Sequence, residues 1–189
     1  MTKHARVTDI VTEAATLLAL GQPRAARDMI KHALPEAPAS PDLVLVLLQS
    51  ANALRDVATA DEAADLLQTL PLSEATLDAM MVHALSIPNV ARARALLSEA
   101  ETTPTLAQWS VFRARARVAR AEKDLEAAKA ILVNGIERWP DATALRPLLT
   151  EVLMESGSAS DARDVLSRLG LPPINPPMDG EENLSEDRA

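Results

Sequence analysis

Small and large apolar residues recur along the chain in a short pattern that we find five times. Each copy begins with a break, followed five places later by a small residue, four places further by a large apolar residue, and three places further by an apolar or small one. The five copies are Gly21, Ala26, Ile30 and Ala33; Ala58, Ala63, Leu67 and Leu70; Pro88, Ala93, Leu97 and Ala100; Lys123, Ala128, Leu132 and Gly135; and Gly157, Ala162, Leu166 and Leu169. Their starts are separated by 37, 30, 35 and 34 residues. Intervals of three and four residues are helical, so the pattern predicts a chain of helical repeats.

A second helical stretch precedes each copy and carries a characteristic residue of its own. These residues are Ala14, Ala51, Met81, Ala116 and Thr150. We therefore predict ten helices in five antiparallel pairs, over 4–20 with 23–34, 41–55 with 60–69, 73–85 with 89–100, 104–121 with 124–138, and 142–155 with 159–169. One pair cannot bury its apolar side alone, so neighbouring pairs are expected to stack into a continuous core.

Prolines and a glycine mark several of the predicted helix ends. Ser40-Pro41 and Thr103-Pro104 each place a capping side chain directly before a proline that suits the first turn of a helix. Gly170, followed by Pro172 and Pro173, is expected to end the last helix.

Composition supports an all-α fold and narrows the function. Aromatic residues make up only 2% of the 189 residues, and five glycines are too few for an all-β fold with many tight turns. The formal net charge of −8 disfavours nucleic-acid binding, and the absence of cysteine excludes disulfides and thiolate metal sites. Asp9, Thr12 and Glu13 interrupt the first apolar stretch, and no apolar run is long enough to span a membrane. We expect a cytoplasmic protein that does not insert into membranes.

Two segments carry a resemblance to a known family. The stretches DLEAAKAILVNGIERWPD (124–141) and GQPRAARDMIKHALPEAP (21–38) resemble the second helix of the tetratricopeptide repeat and its closing proline. The resemblance covers about residues 7–169 and implies an α-solenoid of about five helix pairs. Leu and Ala fill the aromatic positions of the family's first helices.

The resemblance also implies where a partner protein would bind. In the tetratricopeptide family, the first helices line the inner surface of a superhelix, which holds another protein. The residues of this chain that match those lining positions include Asn52, Arg55, Asp78, Arg113, Arg117, Arg120 and Glu151. The carboxylate clamp of the family's co-chaperone members is not expected here, because the matching positions hold Val11, Ala15 and Gln49.

The three arginines form the most informative polar cluster. Arg113, Arg117 and Arg120 fall within about 60° of one another on a helix. Without an interleaved acid they would repel one another and favour an acidic segment of a partner. The alternative is an ordinary solvated face that Glu122 and Asp124 neutralise from one end.

The sequence divides into a repeat domain, residues 1–170, and a tail, residues 171–189. The tail contains four prolines, and its five acids stand against one arginine, which gives a charge of −4. Such a composition predicts a disordered acidic tail. The alternative is a docking peptide centred on 171–174. We also expect the tail to fold back on the three arginines and compete with a partner.

No pattern for catalysis or cofactor binding is found. His4, His32 and His83 lie in three different segments, and His32 has helical spacing to Glu36 without a third ligand. A solvated or partly buried His32 is the better interpretation. The sequence thus predicts no catalytic, metal or cofactor site. It favours an adaptor or assembly factor for another protein, with a secretion-type chaperone and a structural subunit of a larger, membrane-associated complex as alternatives. The oligomeric state is left open.

Overall fold

The structure, a computed structural model, describes residues 3–38, 40–87, 89–157 and 159–172. These residues form ten α-helices and one short 3₁₀ helix, with no strand among them. The α-helices are α1 (Lys3–Ala19), α2 (Pro23–Ala33), α3 (Pro41–Leu54), α4 (Val57–Gln68), α5 (Glu74–Ser86), α6 (Val90–Thr102), α7 (Gln108–Ala121), α8 (Leu125–Arg138), α9 (Leu145–Ser156) and α10 (Ala159–Arg168). The 3₁₀ helix, Leu34–Glu36, follows α2.

The ten helices pack as five successive pairs, which confirms the predicted α-solenoid. Each odd-numbered helix contacts its even-numbered partner and also the next odd-numbered helix. Successive even-numbered helices contact one another far less among the described residues. The array therefore curves with the odd-numbered helices inside, and we call the surface of α1, α3, α5, α7 and α9 the inner wall.

The structure corrects the alignment of the second repeat. The predicted start at Ala58 is wrong, because α4 already begins at Val57, behind a turn at Arg55. Arg55 has a φ of +56°, close to the +71° of Gly21 and Gly157 and the +68° of Lys123. In the second repeat an arginine thus adopts the left-handed conformation that glycine adopts in the first and fifth repeats, so no glycine marks this turn in the sequence. Ala63 and Leu67 are buried as well and have the spacing of the pattern. They lie three residues after the positions that are equivalent in the other repeats.

With this correction the repeats are nearly regular. The buried alanines that lie one turn inside the second helices are Ala26, Ala60, Ala93, Ala128 and Ala162. They are 34, 33, 35 and 34 residues apart. The interval from Ala60 to Ala93 is one residue short and the next is one residue long, although the turn after α5 keeps the hydrogen bond of the other turns, here from the Asn89 amide to the Ala84 carbonyl.

Two predicted helix starts are also wrong, and both lie too early. Helix α7 begins at Gln108 and not at 104, because the Thr103 hydroxyl donates to the Glu99 carbonyl, 2.8 Å away, and so closes α6. Helix α9 begins at Leu145 and not at 142, behind a turn in which the Leu145 amide donates to the Ala142 carbonyl. The predicted start at Pro41 and the end of α10 before Gly170 are confirmed.

Two clusters of buried side chains hold the array together. One runs from α1 to α7, and the other joins α7, α8, α9 and α10. Four of the five characteristic residues of the first helices are fully buried, and Thr150 is half-buried. The three alanines among them let the helices approach closely. Leu171 packs against the second cluster, and residues 173–189 of the expected tail lie outside the described chain.

Candidate partner-binding groove

A groove of about 430 Å³ lies along the inner wall, where α5, α7 and α9 meet. These are the first helices of the third, fourth and fifth repeats. The residues that line the groove are Val82, Leu85, Arg117, Arg120, Ala121, Lys123, Leu148, Glu151 and Glu155. We call this feature the inner groove.

Part of the inner groove is apolar and open to solvent. Val82 is 41% exposed, Leu85 is half-buried and Leu148 is buried. Helix α5 presents Val82 to solvent because Met81 and Ala84 on its other side are fully buried in the first cluster. The groove therefore offers apolar surface that loses contact with water when a partner covers it.

One acid of α5 pairs with two arginines of α7. The Asp78 carboxylate lies 2.7 Å from the Arg113 guanidinium and also accepts a hydrogen bond from Arg117. The Arg113 guanidinium lies in addition over the Trp109 ring, 5.3 Å from its centroid. Burial lowers the pKa of Arg113 although Asp78 raises it, and the charge of Arg117 lowers it further. Arg113 therefore depends on Asp78 to compensate its loss of solvation.

Two acids of α9 hold the third arginine. Arg120 pairs with Glu151 and, at 2.6 Å, with Glu155, which also lies 3.3 Å from the Lys123 ammonium. Burial lowers the pKa of Arg120, but the hydrogen bonds to Glu155 and Glu151 outweigh it and raise the pKa overall. Hydrogen bonds from Arg120 and Lys123 lower the pKa of Glu155. The ion pairs thus connect α5, α7 and α9 across the inner groove.

The expectation of three uncompensated arginines is therefore wrong, and so is the proposed neutralisation by Glu122 and Asp124. Glu122 pairs with Arg94 at 2.6 Å, and the Asp124 side chain caps α8 by accepting from the Ala127 amide. The compensating acids come from the first helices of the neighbouring repeats. They were not expected because the sequence of α7 alone does not contain them.

The structure brings together five of the seven residues expected to bind a partner, namely Asp78, Arg113, Arg117, Arg120 and Glu151. Arg55 lies elsewhere, exposed at the turn between α3 and α4. Asn52 belongs to a separate polar cluster, where its side-chain oxygen lies 3.0 Å from Nδ1 of His83.

His83 is fully buried, whereas His32 is exposed, as the interpretation of a solvated histidine expects. The His83 ring is 1% exposed, and Nε2 lies 3.0 Å from the Asp61 carboxylate, which also accepts from Arg92. Both ring nitrogens thus have partners on α3 and α4. The cluster links the second repeat to the third.

The sequence did not predict six of the residues that line the groove, namely Val82, Leu85, Ala121, Lys123, Leu148 and Glu155. Val82 could have been predicted from the corrected alignment of the repeats. Both Val82 and Arg117 lie seven residues before the residue that caps the following helix, Asn89 or Asp124. Val82 therefore occupies the position of the expected site residue Arg117, one repeat earlier.

The described residues contain no cluster of three or more histidine or acidic side chains placed to hold a metal ion. Within the same part of the chain, no helix combines the length and apolar character needed to cross a bilayer.

Residues 119–172 match the sequence profile of the tetratricopeptide repeat. The structure is similar to that of TTC0263, a thermophilic TPR protein of Thermus thermophilus, with a TM-score of 0.70 and 18% identity over 86% of this chain and 89% of that one. It is also similar to the MamA RS-1 ArsTM double mutant, with a TM-score of 0.56 and 14% identity over 90% of this chain and 94% of that one. No protein with a curated description matches the sequence.

These similarities agree with the helix pairing, the inner wall and the repeat spacing described above. A tetratricopeptide fold is in general a protein-protein interaction module. Residues 119–172 thus carry the tetratricopeptide profile, and the ten described helices share the solenoid fold of these tetratricopeptide structures.

Proposed function

We propose that this chain is a non-catalytic cytoplasmic adaptor or assembly factor that holds a helix or extended segment of a partner protein in the inner groove. The exposed apolar surface at Val82 carries the proposal. It lies on the inner wall beside Leu85 and Leu148, between ion pairs that hold the adjoining helices in place. A preformed groove with an apolar centre and a charged rim suits a peptide-like partner.

The rim defines the chemistry of the partner segment. A large apolar side chain would cover Val82 and Leu85, and carboxylates on the same segment would reach Lys123, whose side chain is 80% exposed. Arg120 is less available, because Glu151 and Glu155 already bind it. The apolar anchor therefore provides most of the affinity, and the acidic contacts orient the segment.

A photo-cross-linking residue placed at position 82 tests the proposal in the native cell. The matched control is position 66 on α4, because Leu66 is 40% exposed and Val82 41%, while only Val82 lies on the inner wall. We expect one protein to cross-link at position 82 and not at 66, through a segment with an apolar residue near carboxylates. Equal products at both positions, or none at position 82, would refute the proposed function.

Salt separates the two contributions to binding. If carboxylates of the partner contact Lys123, the affinity falls as ionic strength rises, and Lys123→Gln removes part of that dependence. If the affinity did not depend on salt, the apolar contact at Val82 would account for binding, and carboxylates of the partner would not contribute to it.

A further inference from the structure

All three aromatic residues of this chain lie together at one corner of the fourth repeat. The chain contains two tryptophans, one phenylalanine and no tyrosine. The rings of Phe112 and Trp139 meet edge to face, with their centroids 5.0 Å apart. Trp109 lines the same pocket as Trp139. This corner is distinct from the inner groove.

The two tryptophans line an open pocket of about 390 Å³, which the loop between α8 and α9 completes. Pro140 and Ala142 of that loop add apolar surface, and Asp141 adds one carboxylate. Both tryptophans are only half-buried, so each leaves part of its indole exposed at the pocket. Grooves lined by aromatic side chains suit extended proline-rich segments.

The last described helix leads the chain to this corner. The guanidinium of Arg168, the final residue of α10, lies 3.6 Å from the carboxylate of Glu137, two residues before Trp139. Leu171 then packs against the same buried cluster as Trp109 and Ala142. The residues that follow, 172–177, read PPINPP. A proline-rich segment thus follows a helix whose last residue pairs with α8 two residues before Trp139.

We propose that residues 172–177 of this chain occupy the pocket formed by Trp109 and Trp139. Proline-rich segments favour the extended polyproline II conformation, so docking costs them little conformational entropy. At about 3.1 Å per residue, six such residues extend about 19 Å.

Charge supports the same placement. Arg138 lines the pocket and lies over the Trp139 ring, 5.0 Å from its centroid, and it has no ion pair among the described residues. Arg146 donates to the Pro140 carbonyl at 2.9 Å and likewise has no carboxylate partner in that part of the chain. The tail continues after the prolines with Asp179, Glu181 and Glu182. In the proposed arrangement these acids would approach arginines that have no ion pair among the described residues, whereas the arginines of the inner wall already have their acids.

Tryptophan fluorescence tests the proposal directly, because the pocket contains both tryptophans of the chain. The full-length protein is compared with a variant that carries Pro172→Ser, Pro173→Ser, Pro176→Ser and Pro177→Ser. We expect the variant to emit at longer wavelength and to be quenched more strongly by acrylamide. A synthetic peptide of residues 170–189, added in excess, should reverse both changes. The matched control, Asn183→Ser with Leu184→Ser, changes the tail beyond the proposed contact and should behave as the unaltered chain.

Each other outcome would overturn the proposal. Equal emission and quenching in the two proteins, at equal helix content by circular dichroism, would show that the prolines do not cover the tryptophans. Protection that rises with protein concentration would show that the tail of a second copy fills the pocket. An effect of the control variant as large as that of the proline variant would show that the tail acts without this segment.

Discussion

Asp78 and Arg113 occupy equivalent positions in the third and fourth repeats, and their side chains pair at 2.7 Å. Each lies eleven residues before the cap of its second helix, Asn89 or Asp124. An acid in one repeat thus meets a base at the same position in the next. Because Arg113 contacts Asp78 on one side and Trp109 on the other, the pair links the two repeats beside the inner groove.

Replacing Asp78 by Asn should destabilise the protein by about 1–3 kcal/mol, because it leaves Arg113 and Arg117, both largely buried, without their acid. Asp65→Asn is the matched control. Asp65 also pairs with an arginine, but its side chain is 70% exposed, so we expect a loss of about 0–1 kcal/mol. Urea unfolding measures both, and equal losses would show that the Asp78 pairs act as ordinary surface contacts.

Arg55→Gly should stabilise the protein by about 0.5–1 kcal/mol, because it relieves a left-handed turn at an exposed arginine at some cost in chain entropy. Gly21→Ala should have the opposite effect, of about 1 kcal/mol. A Cβ at Gly21 would have no neighbour within 4 Å, so only the φ of +71° opposes it. Thermal unfolding compares the two variants. Changes of the same sign would contradict the structural equivalence of these turns.

Gly135→Leu should destabilise the fourth repeat by about 1–3 kcal/mol through overpacking. A Cβ at Gly135 would lie 3.0 Å from Leu145 and 3.6 Å from Phe112, and Leu145 is fully buried. Asn134→Leu is the control, since Asn134 is exposed on the same helix. Urea unfolding of both variants should show a loss only at 135, and equal stability would mean that α8 and α9 separate easily.

The ion pairs of Glu155 should make stability depend on acid pH. Arg120 and Lys123 lower the pKa of this carboxyl in the folded state. Its contribution is therefore complete above the unfolded pKa of about 4.3 and is lost as the pH falls through the lower folded pKa. Glu155→Gln removes that contribution, so its stability should fall less than that of the unaltered protein between about pH 5 and pH 3. Parallel curves from chemical unfolding at each pH would contradict the assignment.

The sequence predicted the helix pairs because apolar spacing and two glycine turns mark most of them. It misplaced the second repeat because Arg55 adopts a left-handed conformation, which an arginine in the sequence does not predict. It placed the start of α7 at Thr103-Pro104, a pair that can begin a helix, although Thr103 here closes the preceding one. Local signals of this kind are ambiguous wherever two neighbouring helices compete for the same residue.

The inner groove was predicted in part for a different reason. Matching to the lining positions found the arginines, Asp78 and Glu151, which do lie together. It did not reveal that Asp78 and Glu155 compensate the arginines, because these pairs join residues 35 to 39 positions apart in different repeats. The apolar centre was missed because Val82 resembles an ordinary core residue until the packing of α5 shows it to be exposed.

The most direct measurement is the affinity of the partner that cross-links at position 82 for two single variants, Val82→Asp and Leu66→Asp. The two side chains are nearly equally exposed, so both changes should alter stability to a similar extent. We predict that Val82→Asp weakens binding by about tenfold or more, since it places a charge where an apolar contact of about 1.5–3 kcal/mol forms, and that Leu66→Asp leaves it unchanged. Equal affinities for the two variants would contradict a binding site in the inner groove.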